Sequence, residues 1–420
     1  MYKKKWGLVL ATSVLAFSMA ACGDDESEES TGSNGTTQIK FINGFTGGDG
    51  SYMTKIVDDF NESQDEFEVV QSQEPDHYTK FKSSQYDLVI MHESNLETYI
   101  QDQMIQPVSS FLEGAGLSED EFHPAGLAAS TVNDELYGFP LDIHPLTMFF
   151  NEEVVSEAPA TYEDLVTLNN EAQSSDPNLY ALGIPGSGLV EFYINMIAAQ
   201  NDIDLEQDGY LNFAQEDFAD ALMIFHDMVF EDEISPAQLG LDGEFQTFMK
   251  NPEGGGKQAA IALTGPWYFQ AAKEQYGDNL GIGSIPQIGD GTATAGNAHI
   301  LAVPSNVQDG AVKEGVEAFL GFLYEPENLV NWAESGQTPT HLATLDLVSE
   351  DPETYELAAQ NLEQLDDYVS MPHVYNYGEQ MRYMNEIVFS KLVSEAGLTK
   401  EALMTELEMA TEEARQFSGQ

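Results

Sequence analysis

The chain is poorest in cysteine and in positive charge. Cys22 is its only cysteine, so no internal disulfide can form. Lysine and arginine together number 15 against 72 aspartates and glutamates, for a net charge of −57. That balance excludes nucleic acid as a partner, because phosphate neutralisation needs lysine and arginine. Only two arginines are present, Arg382 and Arg415, so a bidentate clamp for an anionic ligand is poorly supplied. Beyond the first 21 residues no run stays apolar for 18 positions, which excludes a further membrane-crossing helix. No G-x-S-x-G elbow and no Walker loop occurs. The eight histidines form no His-x-x-His pair. Neither a metal nor a cofactor is expected.

What is present begins with Lys3, Lys4 and Lys5 and the apolar run "WGLVLATSVLAFSMA". The run is too short and too early for a comfortable membrane span, and residues 1–21 read as a secretion signal. Ala20 and Ala21 directly before Cys22 resemble the lipobox of bacterial lipoproteins, with Met19 where leucine is usual. That resemblance implies an acylated Cys22 at the new N-terminus, anchored at the outer face of the cytoplasmic membrane. Residues 22–36, "CGDDESEESTGSNGT", are acidic and nearly without apolar side chains, so they read as a disordered tether. Three of the 15 basic residues leave with the leader; the remaining 12 against 72 acids put −60 on the mature chain. Such self-repulsion is relieved where salt shortens the Debye length, about 3 Å at 1 M against about 10 Å at 0.1 M. A halophilic or alkaline exterior is the expected setting.

From Thr36 onward 385 residues remain, enough for two lobes with cores of their own. "TQIKFINGF", "FEVVQS" and "YDLVIM" read as strands, and "SYMTKIVDDFNES" repeats Met53, Ile56, Val57 and Phe60 at helical spacing. "NLETYIQDQMI" reads as a helix and "QPVSSFLEGAG" as a connection. This alternation predicts an α/β fold with a mainly parallel sheet, whose ligands lie beyond the carboxyl ends of the strands. Between Pro145 and Ala262 the pattern turns helical, "KQAAIALTG" and "LGIGSIPQI" return to strand, and "AVKEGVEAFLGFLY", "PENLVNWAES" and "EALMTELEMATEEARQF" are amphipathic helices.

Taken in order, these segments resemble the sugar-binding proteins of ABC importers, the extracellular solute-binding family that includes maltose-binding protein. "QIKFINGFTGGDGSYMTKIVDDFNES" is similar to the family's opening strand, glycine turn and helix, with Ile42 in place of tryptophan. "YGFPLDIHPLTMFFNEEVV" resembles the first crossover between lobes, "AAIALTGPWYF" the second, and "GNAHILAVPSN" the strand before the third. "ESGQTPTH" resembles the segment in which the family often has an arginine where His341 stands. The segment between Val70 and Tyr86 is shorter than the family's. The resemblance implies a two-lobed periplasmic-binding-protein-like fold with a ligand cleft at the hinge. It places 37–143 plus 265–307 in the first lobe and 144–264 plus 308–420 in the second. It further implies a monomeric, lipid-anchored receptor that passes a mono- or oligosaccharide to an ABC permease and catalyses no reaction.

A sugar site needs aromatic faces for stacking and polar groups for its hydroxyls. On the first lobe the candidates are Thr46, Gly47 and Asp49 in the glycine turn, with His92 and Ser94, flanking Glu93, after "YDLVIM". Asp142 and His144 flank Ile143 in an extended stretch, so alternation points them the same way, toward the cleft or toward each other. Trp267, presented by Gly265-Pro266, is the strongest stacking candidate. The second-lobe candidates are Ser187, Glu191 and Phe192, with Asn297, Gln337 and Thr338 from later segments. Asp204, Glu206, Asp208 and Gly209 match early EF-hand spacing, but Gln215 stands where the bidentate glutamate belongs, so the stretch reads as a solvated turn. The alternatives are a receptor for a polyamine, peptide or glycerol phosphodiester, or a secreted glycosidase with two carboxylates about 5 to 10 Å apart.

The charge balance makes one prediction. The melting temperature should rise as NaCl increases from about 0.1 M to about 2 M, the range over which screening shortens from about 10 Å to under 3 Å. A salt-insensitive melt, read by calorimetry, would contradict the halophilic expectation.

Overall fold

In the computed structural model, residues 35–249 and 256–419 are described. The leader, Cys22 and nearly all of the tether lie outside the described residues. Strand β1 (Thr37–Asn43) pairs in parallel with β2 (Phe67–Gln73) and with β3 (Leu88–His92). A two-residue strand, β4 (Ile105–Gln106), follows, then β5 (Phe139–Pro145). After Leu146 the chain enters a second sheet as β6 (Thr147–Asn151), continued by β7 (Leu179–Leu182), β8 (Gln258–Thr264) and β9 (Leu280–Gly283). It returns to the first sheet as β10 (Gly296–Pro304) and adds β11 (Thr338–Pro339) at its edge.

The first sheet runs β11-β5-β10-β3-β1-β2, with β4 also on β10, and the second β9-β6-β8-β7. Neither is mainly parallel. β10 is antiparallel to β3, β4 and β5, and β6 is antiparallel to β8 and β9. The strands that cross between lobes enter each sheet against its own βαβ strands, which the local alternation did not show. β10 is buried along its whole length, which explains its nearly continuous apolar run.

Each lobe has its own core. Phe41, Met53, Phe60, Leu88, Phe139 and Leu301 belong to the first, and Met148, Leu182, Tyr193, Leu222 and Ile261 to the second. The helices of Ala311–Leu323 and Pro326–Ala333 place Val316, Phe319, Leu320, Leu329 and Trp332 in the first core. Phe269, Ala272 and Tyr276 instead pack with Phe149, Ala262 and Leu280 of the second sheet. The expected boundaries therefore shift: the segment after Gly265 stays with the second lobe, and 311–333 belongs to the first. The chain crosses at Leu146, between β9 and β10, and again before Met371, which joins the second core with Val374, Met381 and Leu403. "AAIALTGPWYF" is thus no crossover, because its neighbours on both sides pack in the second lobe.

Local expectations met smaller changes. "QPVSSFLEGAG" contains the helix Ser109–Gly114, and "NLETYIQDQMI" stops its helix at Gln101 before β4. The EF-hand-like stretch is a hairpin, Glu206–Gln207 against Tyr210–Leu211, turning through Asp208 and Gly209 at positive φ. A short helix, His77–Ser83, fills the abbreviated segment between β2 and β3.

Gly315 fixes the helix of Ala311–Leu323 against β1, since a Cβ there would fall 2.4 Å from Ile39 Cδ1 and 2.7 Å from the Phe67 ring. Gly315→Leu should cost about 1–3 kcal/mol by overpacking, read in denaturant unfolding. An unchanged midpoint would mean that this helix does not pack on the first sheet.

Candidate functional site

Three neighbouring strands bring the site together. In the β3–β10–β5 register His92 pairs with His299, His299 with Asp142, and Asn297 with His144. Asp142 and His144, two apart on β5, share one face. Asp142 is fully buried; its Oδ1 accepts from Nδ1 of His144 at 3.0 Å and both its oxygens lie 3.0 Å from Nδ1 of His299. The indole Nε1 of Trp332 donates to Oδ2 at 2.7 Å. Burial works to raise the Asp142 carboxyl, but the His299 and His144 imidazoles outweigh it and hold the group well below the usual carboxylate range.

Above this carboxylate the rings of His92, His144 and His299 face one another, with centroids 4.2 to 5.7 Å apart. They form part of the wall of a cavity of about 410 Å³, completed by Phe45, Asp49, Pro75, His77, Tyr78, Trp267 and Gln337 among others. Burial, with the His299 imidazole second, pushes His144 and His77 down to about 4 and His92 well below its ordinary value. These three imidazoles are therefore uncharged at neutral pH. Burial raises Asp49, the one carboxylate on the cavity wall.

Trp267 presents an aromatic face to the cavity. It is 39% exposed at the cavity edge, with Phe192 at 6.2 Å and His144 at 6.1 Å between ring centroids. Gly265 makes this pose available, because a Cβ there would fall 2.2 Å from the indole ring. Phe45, buried and edge-on to His299 at 4.8 Å, is set by an Asx turn in which Asn43 Oδ1 accepts from its N–H at 3.1 Å.

Of the sequence candidates, Asp49, His92, His144, Trp267 and Gln337 lie on the cavity wall, with Asp142 and Phe192 directly behind it. The Oε1 of Gln337 is buried and has no hydrogen-bond partner among the described residues. The others are not on that wall. Thr46 and Gly47 are exposed at the turn. Asn297 donates to Ser94 Oγ at 3.1 Å, which ties β10 to the end of β3. Ser187 bridges to Leu241, and Thr338 is buried opposite Ile143. Glu191 starts the helix Val190–Gln200, and burial raises its carboxyl. Glu93 is a fastener: its Oε1 accepts from Tyr368 Oη at 2.7 Å and from the Met371 N–H at 2.8 Å, and burial pushes it up to about 8. His341 stands at the N-cap of the helix Leu342–Glu350, and its Nδ1 lies 3.0 Å from the Thr344 hydroxyl.

His299, His77, Tyr78 and Phe45 were missed. His299 follows Asn297 by two and so shares its face, a signal present in "GNAHILAV". His77 and Tyr78 enter through the short helix that fills the abbreviated segment. A larger cavity, about 470 Å³ between Asp202–Glu206 and Val369–His373, has no phenylalanine, tyrosine or tryptophan in its wall and offers no stacking face.

Residues 55–360 match the family of bacterial extracellular solute-binding proteins. The chain belongs to that family. It is 23% identical over 346 residues to the sn-glycerol-3-phosphate-binding periplasmic protein of Yersinia pseudotuberculosis, covering 75% of this chain and 76% of that one. It is 27% identical over 216 residues, 47% of each chain, to a maltooligosaccharide ABC transporter solute-binding lipoprotein of Streptococcus pneumoniae. In structure it is similar to the sugar-binding protein MalE of Xanthomonas citri, with a TM-score of 0.75 at 19% identity over 90% of this chain and 97% of that one. The GacH receptor of Streptomyces glaucescens superposes with a TM-score of 0.73 at 15% identity, covering 90% of this chain and 99% of that one. The two-lobed receptor fold and the extracellular solute-binding role expected from the sequence both stand.

The buried imidazoles make a pH prediction. The His77 ring packs at a tilt against Tyr78, centroids 3.9 Å apart, and its ring nitrogens make no regular hydrogen bond, the Ile90 carbonyl only partly opposing the effect of burial. Its folded value, about 4, lies below the ordinary 6.5. Between these values the unfolded chain binds the proton and the folded chain does not, so stability falls as pH falls through that window. The slope is about 1.4 kcal/mol per pH unit where a full proton separates the states. His77→Phe should fold and should flatten the loss of melting temperature between pH 6.5 and 4; an acid limb identical to the wild type would mean His77 titrates freely in the folded state.

Proposed function

We propose that this extracellular solute-binding protein captures a neutral carbohydrate, a mono- or oligosaccharide, and delivers it to the permease of an ABC importer. It acts as a monomer held at the outer face of the cytoplasmic membrane by lipid on Cys22. The observation that carries the sugar reading is the cavity wall: an exposed Trp267 face, Phe45 and Tyr78 on the same wall, and no lysine or arginine. An aromatic face suits the apolar side of a sugar ring, while Asp49, Gln337 and the imidazoles offer acceptors and donors to hydroxyls. The volume of about 410 Å³ suits a small ligand.

The glycerol phosphate named for the Yersinia relative is served poorly here. A phosphate monoester calls for a fixed cation, and the wall offers imidazoles of which His77 and His144 are pushed down to about 4. A glycosidase reading is equally poorly supplied, since Asp49 is the one carboxylate on the wall and Asp142 is saturated beneath it. Closure of the lobes follows if the closed state binds the sugar better than the open one by a few kcal/mol.

A thermal-shift screen at about 2 M salt, where charge is screened, against sugars, polyols, polyamines, peptides and glycerol phosphate tests this reading. A shift confined to sugars supports it through mass action; a shift with glycerol phosphate alone overturns the sugar. Trp267→Ala should weaken sugar binding about ten- to hundredfold, about 1.4–2.7 kcal/mol. An unchanged affinity, measured by calorimetry, would move the stacking face elsewhere.

A further inference from the structure

We propose that His92, His144 and His299 form a binding site for one first-row divalent transition metal ion, with an open coordination position facing the cleft. This site stands whichever solute the cleft accepts. One ring nitrogen from each of the three side chains lies within 4.8 Å of those of the other two. The ring centroids are 4.2, 4.9 and 5.7 Å apart. Three imidazoles on a tetrahedral ion, with metal–nitrogen bonds of about 2.0 Å, have centroids roughly 5 Å apart. The observed centroid distances bracket that spacing.

The outer contacts are those that a metal-binding histidine requires. A ligating imidazole holds its orientation by giving its other N–H to a carboxylate, hydroxyl or carbonyl oxygen. Here Nδ1 of His144 and Nδ1 of His299 both lie 3.0 Å from Asp142, and Nδ1 of His92 lies 2.8 Å from the Tyr78 hydroxyl. Among the described residues no protein group hydrogen-bonds the Nε2 of any of the three. Each of these rings therefore keeps Nε2 for the cavity whose wall it forms. The Tyr78 oxygen can accept from the Nδ1–H that a metal on Nε2 imposes. Asp142 supplies one buried negative charge beneath the ion, and Trp332 holds that carboxylate from behind at 2.7 Å.

The donor set selects the ion. Three neutral imidazoles suit zinc, nickel, cobalt or copper, while magnesium and calcium require oxygen ligands. Three protein ligands also leave a tetrahedral ion one position short, as in open zinc sites. That position opens on the cavity, where water or a solute oxygen completes the shell. The sequence hid this cluster because the three histidines come from strands separated by 52 and 155 residues, with no local spacing to mark them.

The test is a titration of the purified full chain, first stripped with a chelator, with ZnCl₂ and CoCl₂ in excess Mg²⁺. The magnesium occupies the acidic surface, which carries most of the 72 carboxylates. The expected result is one tight equivalent of zinc, a matching equivalent of cobalt with the intense visible bands of a four-coordinate ion, and a raised melting temperature. His92→Gln and His299→Gln should each weaken zinc at least about a hundredfold, and Asp142→Asn about 10- to 100-fold. His123→Gln and His373→Gln, outside the cluster, should leave binding in place. Circular dichroism of each variant separates lost ligation from lost folding, and His92, the least buried of the three, is the safest substitution. Weak binding with no step at one equivalent, or binding that magnesium removes, or that survives both histidine substitutions, overturns the proposal. Running the solute screen on stripped and zinc-loaded protein keeps the two readings apart: a sugar shift in stripped protein supports the receptor reading whatever the metal titration gives.

Discussion

A single buried carboxylate organises the heart of this protein. Removing an ionised carboxyl from water costs several kcal/mol unless hydrogen bonds and opposite charge replace the lost hydration. Asp142 has no exposed surface, and it is met by Nδ1 of His144, Nδ1 of His299 and Nε1 of Trp332. Those partners come from its own strand, from the central strand of the first sheet and from the helix Pro326–Ala333. One side chain thus ties the late helices to the first lobe and turns two imidazoles toward the cleft. Loss of any donor would leave part of a buried charge unpaired, so the hinge face and the cleft floor are mechanically one unit.

The second constraint is the path of the chain. Each lobe has a separate apolar core, and the segments that pass between them are short at Leu146 and longer before β10 and Met371. Gly296 lets β10 start against β5 at the crossing, since a Cβ there would fall 2.3 Å from the His144 carbonyl oxygen. Glu93 fastens the last crossing to the first lobe through Tyr368 and the Met371 N–H. A cleft bounded by two independent cores and joined by such segments suits hinge closure. Trp267 approaches it from the second lobe and the histidines from the first, so the cavity wall draws on both bodies.

The acidic surface and the cleft follow different rules. The surface carries a large excess of carboxylates, most of them solvated, whereas the cleft wall has one, Asp49. Solvated charge governs solubility and salt response. In the cleft, desolvation dominates instead and holds the His77, His92 and His144 imidazoles below their ordinary range.

Much was legible in the sequence, for reasons that can be named. Amphipathic spacing located helices such as Gly50–Ser63 and Lys400–Phe417, because one face of each must be buried. Period-two alternation placed Asp142 and His144 on one face, and strand polarity placed His92 at the ligand-facing end of β3. Gly265-Pro266 marked the turn that brings Trp267 to the cavity wall. What only the tertiary structure decided were relations between distant segments: that β10 lies between β3 and β5, that 311–333 packs on the first lobe, and that His299 stands between His92 and Asp142. Strand order and register are set by long-range pairing and core burial, which leave no local periodicity, so a cluster assembled across three strands is invisible until the sheet is formed.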